Sequence, residues 1–411
     1  MNILNTTDLE PEIVLLLCCA RQSLGDSCQH QIQQLVSQNG LDWKKAIKMA
    51  RFHRLLPLLH KVLLSMVPAE LPDWVLAELH QYQLRNIGNA FSLVQELRAF
   101  LDILDTHHIK AITFKGPVTA VSAYGDLSLR VFGDLDLLVH PDDLLTLRDI
   151  AIKHGYTCDK LMAISERDCL AKLTPQEQAA YFQTQKEFSL FNPEKRIFLD
   201  IHQGILARHF YPLFDTRWIW NHTQMVEIGG KQVLSLTPEV QILVLCAQGA
   251  EDYWNQLGKI CDVAMLMDKH PTLDWDHLLE LSDDLDVLRR LLLGLSLVQN
   301  LYGVDLPESA QKKIQESPVI QTLVQEVQQN ILLGKKANVD SRLTMRRVIH
   351  QFRLMADWRN RVYFVGDLMH PTLADMAAMP LPKSLFFFYY LFRPLRLVQE
   401  IFCHKKQNST V

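Results

Sequence analysis

The sequence predicts an α+β protein that is mostly helical, with a small mixed β-sheet between N- and C-terminal helical regions. Apolar residues recur at helical spacing up to residue 104 and again beyond Phe210. Between these regions, short runs rich in β-branched and aromatic residues alternate with helical segments. We therefore divide the chain into an N-terminal helical region at 1–104, an α/β core at 105–215 and a C-terminal helical domain at 216–411.

Composition narrows the class of protein. The 411 residues suffice for two or three domains, and the net charge of −4 supplies no basic field, so we do not expect nucleic acid as a partner. The 8 cysteines form no CxxC or zinc spacing, which favours a reduced, cytoplasmic setting. Met1 to Glu10 lacks the basic start of a signal peptide. The apolar run from Ile13 to Ala20 is too short to span a bilayer.

Helices are expected throughout the first region. Pro11-Glu12 begins one, residues 43–50 and 53–66 continue the pattern, Asp73 opens a longer helix, and residues 91–104 form a further stripe. No linker rich in Gly or Pro follows, so this region should pack against the α/β core rather than move independently.

The core is predicted to alternate strands and helices. In chain order the segments are strand 111–114, helix 118–123, a strand around Asp134 and Asp136, helix 141–154, a strand start at 156–157, helix 174–180, and a hairpin of 187–191 with 196–201. Beyond Phe210 we expect only helices, among them one starting at Thr237-Pro238 and others at 257–267, 275–281 and 285–302.

An apolar, aromatic segment runs from Leu385 to Leu397 near the end of the chain. It would either dock into a groove of the protein or lie on a membrane surface. Its apolar positions cover almost the whole helical circumference, which favours the groove over the membrane.

Asp134 and Asp136 are the first candidates for chemistry. Residues two apart on a strand share a face, so the two carboxylates should project side by side while Leu135 and Leu137 point into the core. Adjacent carboxylates repel unless a cation lies between them, and Mg²⁺ or Mn²⁺ with a substrate phosphate would supply it. The alternative is a chance Asp-x-Asp at a solvated strand end.

Lys115-Gly116 lies between a predicted strand and a predicted helix, where a turn can bind phosphate. Turns of this kind are also common as purely structural features. Arg130 precedes the paired aspartates and would bind either phosphate or one of the carboxylates. For the turn and for Arg130 alike, the residues alone do not decide between a phosphate-binding role and a structural one.

Asp200, near the end of the second hairpin strand, is the third candidate carboxylate. Opposite the first two, it would complete a site for two divalent ions, whereas the alternative is that it merely closes the strand. His202 lies on the same strand face and is read as a structural hydrogen-bonding residue rather than a base.

Together these residues resemble the nucleotidyltransferase fold shared by DNA polymerase beta and antibiotic nucleotidyltransferases. More closely, the chain resembles an uncharacterised bacterial nucleotidyltransferase family. The matching pieces are Phe114-Lys115-Gly116, residues 129–139 and Leu199 to His202. Where that superfamily has Gly-Gly or Gly-Ser, this chain has Lys115-Gly116-Pro117, and Pro117 removes a backbone donor that Lys115 would replace. Gln203 stands where the family often has Trp.

The resemblance implies metal-dependent transfer of an NMP from an NTP to an unidentified acceptor hydroxyl or phosphate, with release of pyrophosphate. Asp134, Asp136 and Asp200 would be the catalytic residues and the ligands of Mg²⁺ (or Mn²⁺). The residues expected to bind the nucleotide are Lys115, Gly116, Arg130, Gly133 and Lys259.

The acceptor side is less defined. His202 and Asp262 are its candidates, although Lys259 and Asp262 would equally form a local i, i+3 ion pair. ATP is the default NTP, and the acceptor would be a small molecule, a saccharide or a peptide. The alternatives are a transferase that nucleotidylates (for example AMPylates) a partner protein and a non-catalytic nucleotide-binding scaffold.

Overall fold

The computed structural model describes residues 9–21, 26–37, 40–158, 174, 187–205, 216–332 and 345–402. Helices and strands are numbered here in chain order over these residues. The N-terminal helices are α1 (Pro11–Cys19), α2 (Asp26–Ser37), α3 (Trp43–Phe52), α4 (Leu56–Met66) and α5 (Asp73–Thr106). The central elements are β1 (Ala111–Phe114), α6 (Gly116–Tyr124), β2 (Asp134–Val139), α7 (Leu144–Lys153), β3 (Glu187–Asn192) and β4 (Ile197–His202).

The remaining elements form the C-terminal part of the chain. They are β5 (Thr223–Ile228), β6 (Lys231–Leu236), α8 (Pro238–Glu251), α9 (Leu257–Lys269), α10 (Trp275–Asp284), α11 (Leu288–Tyr302), α12 (Glu308–Gln315), α13 (Pro318–Leu332), α14 (Met345–Leu354), α15 (Trp358–Met369), α16 (Leu373–Ala378) and α17 (Phe388–Phe402). The predicted fold class is confirmed: helices flank a small mixed sheet.

The central sheet has four strands in the order β1-β2-β4-β3. β1 is antiparallel to β2, β2 is parallel to β4, and the hairpin partner β3 is antiparallel to β4. The parallel pair is what places Asp136 directly beside Asp200. The predicted hairpin is confirmed, with its turn at the predicted position.

Period-2 alternation gives the sheet two different faces. Leu135, Leu137 and Val139 are buried in a core formed with the apolar sides of α5 and α7, as predicted. The opposite face carries Asp134 and Asp136 at one end of β2. One face therefore packs entirely in a core, whereas the other packs in a second core through Ile112, Phe114 and Leu138 and carries the two aspartates beside them.

The N-terminal helices share a hydrophobic core with the C-terminal helices and with Ile112, Phe114 and Leu138 of the sheet. The second part of α5 packs on the opposite face of the sheet, so the predicted packing of this region against the α/β core is confirmed. α1 is buried along its length, which explains its apolar run without a membrane. The Sγ of Cys261 in α9 lies 3.5 Å from the carbonyl oxygen of Ala20, just after α1. Among the described residues, no helix is long and apolar enough to cross a membrane.

Two predicted features of the fold are wrong. Residues 73–106 form one continuous helix rather than two. Its first part packs in the core shared by the N- and C-terminal helices, and its second part packs in the core on the sheet. The region after Phe210 is not purely helical, because Gly229 and Gly230 allow the tight turn of the β5–β6 hairpin with φ of 56° and 81°. The predicted helix at 174–180 lies, apart from Thr174, outside the described residues.

The segment from Leu385 to Leu397 only partly docks on the protein. Tyr389 and Leu397 are buried, as docking into a groove requires. Tyr390, Leu391 and Leu395 are 54%, 62% and 68% exposed, so much of the segment faces outward.

Candidate active site

The three candidate carboxylates lie on one face of the adjacent parallel strands β2 and β4. Asp136 pairs in register with Asp200, and Asp134 is two residues before Asp136 on the same face. Both strands have apolar residues at the intervening positions, and these are buried on the opposite side. The backbone register therefore brings the Asp-x-Asp pair and Asp200 together, at adjacent positions of the two strands.

Asp136 is the most enclosed of the three, with 5% of its surface exposed. Its Oδ1 accepts a hydrogen bond from the Lys115 ammonium at 2.8 Å and lies 3.0 Å from Nε2 of His202. Burial alone would raise the pKa of Asp136, but the charges of Lys115 and His202 hold it at about 2. Asp136 is thus a carboxylate that stays ionised.

Asp134 and Asp200 behave in the opposite way. Burial and the charge of Asp136 raise the pKa of Asp134, although Lys115 and Arg54 oppose the increase. Burial also raises the pKa of Asp200, to about 6. The hydrogen bond from Ser189 opposes this increase, whereas the charges of Asp136 and Asp134 add to it. Of the three carboxylates, Asp134 and Asp200 are therefore the two whose ionised form is disfavoured in the folded protein.

His202 lies beneath the carboxylates and is 1% exposed. Its two ring nitrogens lie 3.0 Å from oxygens of Asp136 and Glu187, and its ring packs edge-on against Phe114 at 5.0 Å. Burial lowers the pKa of His202, but the neighbouring carboxylates of Asp136 and Glu187 outweigh this effect and raise the pKa. These contacts fit the predicted structural role, in which His202 positions Asp136.

Lys115 and Gly116 form the turn between β1 and α6. Both have positive φ, 58° and 35°, which costs energy at Lys115 because it has a Cβ atom. A Cβ on Gly116 would lie 3.4 Å from the carbonyl oxygen of Asp134, so the turn lies directly against β2. This geometry brings Lys115 to Asp136, as part of the same site.

Arg130 binds a carboxylate other than the two that the sequence suggested. Its Nε and Nη2 donate to Asp262 of α9 at 2.9 to 3.1 Å, and Tyr124 donates to the same carboxylate at 2.7 Å. The local pair of Lys259 with Asp262 is not formed, because Lys259 pairs with Asp252 instead. Arg130 and Asp262 thus join the loop before β2 to the C-terminal helices.

The loop before β2 is also held by the long helix α5. Asn86 donates to the carbonyl oxygen of Ser128 and Asn89 to that of Phe132, each at 2.8 Å. Gly133 follows; it is exposed, and a Cβ there would meet nothing within 4 Å. Sequence reasoning missed the two asparagines, because polar residues on a long helix normally face solvent.

These residues surround a cleft of about 240 Å³ between the sheet and helices α8 and α9. Every predicted site residue except Gly133 lines it. Arg54, from the corner between α3 and α4, also lines it and was missed as a site residue. Nothing local in the sequence shows that this corner folds over β2.

The corner at Arg54 is fixed by the start of α9. Gly258 N donates to the carbonyl oxygen of His53 at 3.0 Å, and Leu257 N donates to His53 Nδ1 at 3.2 Å. Burial lowers the pKa of His53 to about 4, so its imidazole is neutral near neutral pH and can accept this bond. The N-terminal region is thereby locked to the edge of the cleft.

Gly258→Ala is expected to destabilise the protein by roughly 1–3 kcal/mol, because the new Cβ requires the corner to shift. Built on the present backbone, that atom would lie 2.6 Å from the carbonyl oxygen of His53. Gly88→Ala in α5 is the matched control, since its Cβ meets nothing within 4 Å. Helix propensity should make that control up to about 1 kcal/mol more stable. Urea unfolding compares the two, and a Gly258→Ala midpoint equal to wild type would contradict the constraint.

The chemistry of the donors fits a divalent cation. Carboxylate oxygens are the preferred ligands of Mg²⁺ and Mn²⁺, and mutual repulsion of the kind seen here is relieved by such an ion. Within the described residues, no three His, Cys, Asp or Glu side chains form a ready metal centre. Two of the carboxylates instead bind Lys115, His202 and Ser189, so a metal would require these side chains to reorient.

A mixed sheet with three carboxylates on adjacent strands, facing a cleft, is the arrangement expected from the resemblance to nucleotidyltransferases. The family model described as uncharacterised nucleotidyltransferase matches residues 39–303, and the chain belongs to that family. The matched range contains the three carboxylates and every cleft residue described above. The comparisons with curated proteins and with solved structures found no match.

Proposed function

We propose that the protein is a metal-dependent nucleotidyltransferase that moves an NMP from an NTP to an acceptor hydroxyl or phosphate and releases pyrophosphate. The observation that carries the proposal is the convergence of Asp134, Asp136 and Asp200 on one face of two parallel strands, at the edge of a cleft. A fold has no structural need for three mutually repelling carboxylates in one place.

In the proposed reaction an acceptor oxygen forms a bond to the α-phosphorus, and the bond from that phosphorus to the bridging oxygen of pyrophosphate breaks. Asp134 and Asp136 would hold two Mg²⁺ or Mn²⁺ ions, with Asp200 as a further ligand of the second. When bound, the ions neutralise phosphate charge and lower the pKa of an acceptor hydroxyl.

The chain's own residues prepare this site. His202 and Lys115 keep Asp136 ionised and oriented. The Arg130–Asp262 pair holds α9 beside the loop before β2, so the cleft keeps its width. The positive φ of Gly116 lets a phosphate approach the backbone at the turn, and Lys259 lies on the opposite wall.

The test is transfer of label from α-phosphate-labelled ATP, GTP, CTP or UTP, with Mg²⁺ or Mn²⁺, to acceptors in a dialysed and an undialysed cell extract. We expect one NTP to label an acceptor, with pyrophosphate released in equal amount. Label in the small-molecule or saccharide fraction supports the proposal, whereas label confined to protein points to modification of a partner. Binding of NTP without transfer points to a scaffold. The absence of both binding and transfer overturns the proposal.

A further inference from the structure

Arg54 differs from the other cations that line the cleft. Lys115 is paired with Asp136, and Arg130 with Asp262. Lys259 is paired with Asp252. The side chain of Arg54 is exposed and has no hydrogen bond or ion pair to any other described residue. Among the cleft's lysines and arginines within the described residues, Arg54 is the one whose charge is available to a ligand.

The charge balance of the cleft explains why such a cation matters. Of the residues that the structure describes, six carboxylates line it: Asp134, Asp136, Glu187, Asp200, Asp252 and Asp262. Four lysine and arginine side chains line it in the same part of the chain. An anionic triphosphate would therefore be repelled unless bound divalent ions and a free cation compensate.

The position of Arg54 is set before any ligand binds. Its φ is 60°, in the left-handed region that residues with a Cβ seldom adopt. Three hydrogen bonds hold the corner that imposes it, two to His53 and one from Gln256 to the carbonyl oxygen of Phe52 at 2.9 Å. Backbone strain maintained by surrounding contacts is a common property of ligand-binding positions.

From these observations we propose that Arg54 binds the phosphate chain of the nucleotide, so that the N-terminal helical region supplies part of the nucleotide site. The inference rests on the proposed function, since it assumes that an NTP occupies the cleft. An arginine suits this role because its planar guanidinium makes bidentate hydrogen bonds to phosphate oxygens.

The test is calorimetric binding of nucleotides to the full chain with Mg²⁺. The nucleotide that the wild type binds best among ATP, GTP, CTP and UTP is chosen first. Its triphosphate, diphosphate, monophosphate and nucleoside forms are then compared as a ladder of decreasing phosphate number. Arg54→Ala is expected to weaken binding of the triphosphate by roughly tenfold to a hundredfold. The loss should shrink along the ladder and vanish for the nucleoside, because only phosphate contacts are removed.

Arg51→Ala is the matched control, because Arg51 lies one turn earlier and pairs with Glu78 at 3.0 Å outside the cleft. It removes the same charge and should bind every nucleotide like wild type. Arg54→Gln keeps the aliphatic stem and a polar end without the charge or the guanidinium, and it must lose affinity like Arg54→Ala. Should Arg54→Ala not fold, as judged by circular dichroism, Arg54→Gln carries the comparison alone.

Three outcomes would overturn the inference. If Arg54→Gln binds the triphosphate with wild-type affinity, Arg54 does not contact the phosphates, and the proposed function is unaffected. An equal loss for triphosphate and nucleoside shows that Arg54 acts only on the shape of the cleft. A wild type that binds none of the four NTPs removes both the inference and the proposed function.

Discussion

Asp134→Asn is expected to abolish nucleotidyl transfer while leaving the fold at least as stable as wild type. We expect transfer to fall by more than about a hundredfold, because the variant loses a carboxylate that is proposed to bind the divalent ions, and these ions stabilise the charge of the transition state. Stability should not fall, because desolvation of the carboxylate within the cleft and the charge of Asp136 raise the pKa of Asp134. A raised acid pKa means that the folded state disfavours the ionised form, so removing the charge relieves repulsion.

Asp136→Asn is the contrasting variant in the same pair. It should lose transfer to a similar extent and also destabilise the protein by roughly 3–5 kcal/mol, because Lys115 and His202 would be left without their partner. The pKa of Asp136 is lowered to about 2, so its contribution to stability is present above the unfolded value and is lost as the pH falls through about 2.

Label transfer and urea unfolding, measured on both variants, separate the two roles. If Asp134→Asn transfers label like wild type, Asp134 holds no ion in the reaction, and the metal-dependent mechanism fails. If Asp136→Asn is as stable as wild type, the contacts of Asp136 with Lys115 and His202 contribute nothing to the fold. The two outcomes are independent, because one concerns chemistry and the other concerns the ground-state charge balance.

Local patterns predicted much of the sheet and of the carboxylate arrangement. Period-2 alternation gave the face of Asp134 and Asp136 correctly, because a buried strand permits no other register. The turn at residues 192–195 gave the hairpin that carries Asp200. In each case the deciding information lies within about ten residues, so a pattern in the sequence suffices.

Contacts between distant segments were not predictable in the same way. Arg130 binds Asp262, 132 residues away, and only the packing of α9 on α6 decides that partner. Arg54 reaches the cleft because His53 docks on α9, and neither residue type nor spacing reveals that contact. Gly229-Gly230 is a different case, since two adjacent glycines are a local hairpin signal that the helical reading overlooked.

Asp200→Asn should make the metal-free protein more stable than wild type at about pH 7.5, by about 1–3 kcal/mol. Burial and the charges of Asp136 and Asp134 raise the pKa of Asp200 to about 6. Between about pH 4 and pH 6 the folded state therefore binds a proton that the unfolded state has released, so wild-type stability falls as the pH rises. Asparagine has no charge to lose, and its advantage should vanish near pH 4.

Divalent ions should reverse this order. Added Mg²⁺ or Mn²⁺ binds the folded state and should raise the unfolding midpoint of wild type, and less so that of Asp200→Asn. Urea unfolding in EDTA and in Mg²⁺, at both pH values, measures both effects. Asp283→Asn on the exposed side of α10 is the control and should show neither.

Equal stabilisation of wild type and Asp200→Asn by the ion would exclude Asp200 from the metal site. The hydrogen bond from Ser189 does not confound the comparison, because the amide oxygen of asparagine accepts it as the carboxylate does. What the substitution removes is charge. A carboxylate that destabilises the empty protein and stabilises the metal-bound one is retained for binding the ion, and that reversal distinguishes a metal ligand from a strand end.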